Sequence, residues 1–92
     1  MISKFKLGAV EWNVKVDNDR MDDLGLMGLC EFPKSLISMC DKFESKDAIE
    51  QTLYHEVVHA ILTTMGYSEL NNNEEFVQQF SVLLHQFEKT KE

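Results

Sequence analysis

The chain has 92 residues, 43% of them hydrophobic and 27% charged, the size and composition of one small globular domain spanning residues 1–92. Its formal net charge of −7 argues against nucleic-acid backbones and anionic membranes as partners. No apolar run approaches a membrane span or the core of a signal peptide, and Cys30 and Cys40 form neither a C-x-x-C pair nor a staple framework. A cytoplasmic protein with two reduced thiols is therefore expected.

From Met1 to about Asp41 the texture is short and strand-like. KFKLGAVEWNVKV alternates at Phe5 and Leu7 and again at Trp12, Val14 and Val16, with a break at Gly8. VDNDRMDDLG is dense in turn formers and reads as a turn. GLCEF and SLISM are two further short apolar runs, separated by a tight turn at Pro33-Lys34. Met21, Met27 and Met39 read as core fillers. The expectation is a small antiparallel or mixed sheet of two to four strands over residues 1–41.

From Asp47 the period changes. Apolar residues from Ala48 to Met65 cover nearly the whole circumference of a helix over 47–65, the mark of a buried helix. Asp47 with Glu50 reads as its capping box, and Gly66 as its stop. Asn71-Asn72-Asn73 announces a second helix over 73–89, with an apolar stripe at Phe76, Val77, Phe80, Leu83, Leu84 and Phe87. The predicted fold class is thus α+β, a small sheet followed by two helices.

The buried helix contains TLYHEVVHA. Residues four apart share a helical face, so His55 and His59 point the same way and can converge on one ion. Glu56 lies about 100° around the helix, near enough to reach a water at that ion without ligating it. This is the H-E-x-x-H zinc pattern, with two imidazole ligands and one general base. Catalytic zinc takes three protein ligands and keeps one position open. Downstream candidates are Glu69, Glu74, Glu75 and His85. Glu69 reads as a loop charge. His85 stands eleven residues beyond Glu74, about 16 Å along a helix, and reads as a surface histidine. Asn72 and Glu75 suit an N-cap and its reciprocal partner, whereas Glu74 borders the buried stripe. Glu74 is the expected ligand and Glu75 the second choice.

QTLYHEVVHAILTTMGYS and NNNEEFVQQFSVLL together resemble the compact zincin metallopeptidases of the ImmA/IrrE type, and more closely the small single-domain zincin-like proteins of phages and prophages. The resemblance covers about half the chain closely. It implies a minimal zincin fold, a Zn2+ cofactor, His55 and His59 as ligands, and Glu56 as base. The spacing to the Phe80-Ser81 step points again to Glu74, with Ser81 standing where the relatives carry alanine. The expected activity is hydrolysis of a peptide or protein substrate by zinc-activated water. The alternative is a zinc-stabilised, non-catalytic protein-binding module of phage or prophage origin. Tyr54 and Tyr67 are candidate oxyanion helpers by chemistry alone.

Overall fold

The computed structural model describes residues Met1–Glu92. The architecture is α+β, a four-stranded mixed sheet followed by helices. Strands β1 (Lys4–Leu7) and β2 (Val10–Val16) form an antiparallel hairpin whose turn contains Gly8 at φ 62. Helix α1 (Asn18–Leu24) follows, then β3 (Gly28–Glu31) and β4 (Leu36–Met39). Strand β4 runs parallel to β2 and antiparallel to β3, giving the order β1-β2-β4-β3. Strand β3 is therefore a sheet edge. Three helices complete the chain: α2 (Lys46–Met65), α3 (Ser68–Asn71) and α4 (Glu74–Thr90). No helix is long and apolar enough to cross a membrane.

Alternation along β2 and β4 builds the main core. Trp12, Val14, Ile37 and Met39 face α2, where Leu53 and Ala60 meet them. Trp12 is fully buried and stacks on Phe5 at 6.1 Å between ring centroids. A second cluster of Val58, Leu62 and Val77 joins α2 to α4. These two contacts hold α2 on opposite flanks, so most of its circumference is covered, as the sequence pattern requires.

The segment read as a turn, VDNDRMDDLG, instead contains α1. The Asp17 side chain accepts from the Arg20 amide, Gly25 closes the helix at φ 68, and Met21 is fully buried. Arg20 donates to Glu31 at 2.7 Å and reaches Ser38, on the sheet face away from α2. A seven-residue helix is too short to persist alone, so the Met21 burial and the cap outweigh the weak helix preference of its asparagine and aspartates.

Two expected caps are displaced by one or two residues. Ser45, not Asp47, caps α2 through a 3.1 Å bond from Ala48, and Asn73, not Asn72, caps α4 through a 3.0 Å bond from Phe76. Asp47 and Glu75 lie in the first turns, where the helix dipole favours a carboxylate. The apolar stripe of α4 is also rotated. Val77, Ser81 and His85 are the buried line, whereas Phe80, Leu83 and Phe87 are 50%, 65% and 59% exposed. The small Ser81 lets the helix approach α2, where Gln51 donates to its hydroxyl. His85, expected at the surface, is buried by the same rotation.

Candidate metal centre

His55, Glu56 and His59 lie in the middle of α2, and Glu74 is the first residue of α4. The short α3, capped by no side chain, turns the chain back so that the start of α4 meets the middle of α2. Glu74 then spans both imidazoles. Its Oε2 lies 3.1 Å from His55 Nε2, and its Oε1 lies 3.1 Å from His59 Nε2. The three side chains can bring their ligand atoms within 4.8 Å of one another, and no fourth His, Cys, Asp or Glu joins the group.

The remaining ring nitrogens are also engaged. His55 Nδ1 meets Gln78 Oε1 at 2.8 Å, and His59 Nδ1 meets Asn71 Oδ1 at 2.7 Å. The Asn71 amide nitrogen donates in turn to Thr63 Oγ1 at 2.9 Å. An amide oxygen only accepts, so a ring whose Nε2 ligates a metal would keep its hydrogen on Nδ1, bonded to that oxygen. That is the form in which imidazole ligates a metal.

The donor set could hold a metal ion. Two imidazole nitrogens and one carboxylate form a His2Glu set of the catalytic type. The two 3.1 Å contacts run to different Glu74 oxygens, one for each imidazole, so the carboxylate bridges the pair. The Glu74 side chain is 69% exposed, so the centre faces solvent on one side.

Glu56 points elsewhere, toward the sheet. The Cys40 amide donates to the Met27 carbonyl, which fixes the alternation along β3: odd positions bond to β4, and Gly28 and Cys30 turn their backbone groups to the open edge. The Cys30 amide stands near the Glu56 carboxylate there and favours its charged form. Gly28 makes room for it, since a Cβ at that position would stand 2.9 Å from Thr52 Cγ2 and 3.2 Å from Glu56 Oε2. Burial pushes the Glu56 carboxyl above the usual carboxylate range, with Glu74 adding to the effect and His55, His59 and the Cys30 amide opposing it. An open cleft of about 260 Å³ joins Gly28, Gln51, Thr52, His55, Glu56 and Gln78. Burial, then Glu56, push the nearby Cys30 thiol up to about 12, so it stays a neutral thiol at neutral pH.

The other candidates lie apart from this group. Glu69 is exposed on α3, and Glu75 accepts from Gln79 at 3.4 Å. Tyr54 packs its ring 5.1 Å from that of His85, and Tyr67 precedes α3 as an exposed residue. Cys30 and Cys40 are free thiols. Sequence reading passed over Asn71, Gln78, Gly28 and the Cys30 amide. Gln78 was within reach of it, one turn after Glu74 on the same face. Asn71 was not, because its role depends on the fold of α3.

No family model, curated protein or solved structure matches the chain. The reading of the centre therefore rests on its own geometry.

Proposed function

We propose that this chain is a zinc-dependent peptidase with His55, His59 and Glu74 as the metal ligands and Glu56 as the general base. The observation that carries the reading is the convergence of both Nε2 atoms on one exposed carboxylate, with both Nδ1 atoms held by amide oxygens and a buried glutamate on the adjoining helical face. Zinc bound there supplies a Lewis acid that polarises a carbonyl and lowers the pKa of water to about 7. The open edge of β3 suits an extended peptide, which would pair with the outward backbone groups of Gly28 and the Cys30 carbonyl and so lie along the cleft beside Glu56. Glu56 takes a proton from the attacking water at its carboxylate and returns it to the leaving amine.

One observation favours the second reading, a zinc-stabilised binding module: the exposed stripe of Phe80, Leu83 and Phe87 on α4. The decisive pair of measurements is zinc per chain by elemental analysis, wild type beside Glu74→Ala, followed by cleavage of a peptide library, wild type beside Glu56→Gln. About one zinc in the wild type, lost in Glu74→Ala, with cleavage abolished in a zinc-loaded Glu56→Gln, is expected. Zinc without any Glu56-dependent cleavage selects the binding module, and a wild type that takes up no zinc removes both readings.

A further inference from the structure

We infer that Asn71 and Gln78 are the positioning residues of this centre, accepting the Nδ1 hydrogen and fixing the ring planes of His59 and His55 when Nε2 ligates a metal. The inference rests on the metal reading above and goes beyond it, since neither residue belongs to the H-E-x-x-H pattern. Each imidazole has two nitrogens, and a ligand is competent only when the nitrogen facing the ion is bare. Contacts of 2.7 Å to Asn71 Oδ1 and 2.8 Å to Gln78 Oε1 place an acceptor on each Nδ1.

The two supports differ in strength. Asn71 is half-buried and tied at both ends, from His59 to Thr63. His59 and Thr63 are one turn apart on α2, so Asn71 clamps two neighbouring side chains of that helix from α3. Gln78 is exposed, carries one more rotatable bond, and its side chain has no hydrogen-bond partner beyond His55. It is held instead by its place in α4, one turn beyond Glu74. The first turn of α4 thus delivers a ligand and the support for the opposing ligand together. Asn71 is the stiffer device, and its removal should cost more.

The test is zinc affinity, measured by competition with a chromophoric chelator, in Asn71→Leu and Gln78→Leu and in the acceptor-keeping variants Asn71→Asp and Gln78→Glu. Removing an outer hydrogen-bond partner of a metal-bound histidine typically costs about 10–100-fold in affinity. The upper part of that range is expected for Asn71→Leu and the lower part for Gln78→Leu, with affinity restored in Asn71→Asp and Gln78→Glu. In zinc-loaded wild type both Nδ1 protons should give slowly exchanging 1H–15N signals, each lost with its own amide. Circular dichroism of the metal-free variants checks that they fold. Folded leucine variants that bind zinc as tightly as a wild type dependent on Glu74 would overturn the positioning role and leave the metal centre standing. A wild type that binds no zinc would overturn both.

Discussion

The seam between α2 and α4 carries an imidazole–carboxylate cluster at each end, and the two have opposite chemistry. At one end stand His55, His59 and Glu74; at the other stand Asp47, Glu50 and His85. Both groups have ligand atoms within 4.8 Å of one another, so proximity alone would rank them equal. The second cluster already contains its cation. Lys89 lies 3.1 Å from Glu50 and 3.6 Å from Asp47, while His85 lies 2.9 Å from Glu50. The first has no lysine or arginine among its contacts, and its two imidazoles aim at one carboxylate. A cluster that supplies its own positive charge is a clasp between helices. A cluster of two imidazoles and one carboxylate, open to solvent and without a lysine or arginine, is the one we propose to receive a cation.

The sharpest way to break this contrast is to remove one carboxylate from each end. Glu74→Ala should lower zinc affinity by more than the ~100-fold expected for an outer partner, whereas Glu50→Gln should leave it unchanged. Zinc at about 100 times its Kd should then stabilise wild type by about 2.7 kcal/mol in a thermal melt, and Glu74→Ala hardly at all. The reverse pattern would show that the ends have been assigned the wrong way round.

His85→Leu addresses the clasp directly. Loss of the bond to Glu50 should cost about 1–2 kcal/mol in urea denaturation of the metal-free protein, with zinc affinity unaffected. Glu56→Gln should act in the other direction. Its carboxylate is desolvated without an ion pair of its own, so the neutral amide should stabilise the metal-free protein at neutral pH by about 0.5–2 kcal/mol, the scale on which functional sites trade stability for activity. A less stable Glu56→Gln would mean that the Cys30 amide holds the carboxylate more strongly than burial opposes it.

The smallest expected effect is the acid dependence of the clasp. Hydrogen bonds from His85 and then Lys89 hold the Glu50 carboxyl below its usual value. A lowered carboxyl contributes stability that is fully present above the unfolded value, about 4.3, and is lost as pH falls through the folded one. The advantage of wild type over Glu50→Gln should therefore shrink between about pH 5 and pH 3. The Glu50 side chain is 37% exposed, so the difference should stay under about 1 kcal/mol and weaken with added salt.

Particular residues mark what could be read without coordinates. The bounds of α2 and α4 lie one residue from those expected, because a 3.6-residue period and a terminal glycine are local signals. The α1 segment was misread because its helix depends on burying one methionine against a sheet that sequence cannot assemble. The stripe of α4 was misread because its apolar arc is wider than the contact, and only packing against α2 decided that Ser81 and His85, not Phe80 and Leu83, would face inward.

The sequence by itself determined that two histidines and a glutamate share one buried helix, since residue spacing sets their directions whatever the surroundings. It also narrowed the distant partner to a pair of adjacent glutamates, Glu74 and Glu75. Tertiary structure alone decided that Glu74 bridges both rings, that Asn71 and Gln78 hold their far nitrogens, and that Glu56 meets a sheet edge at Gly28 and Cys30. These contacts join residues from twelve to twenty-eight positions apart, and nothing in local periodicity encodes the angle at which one helix is turned back onto another.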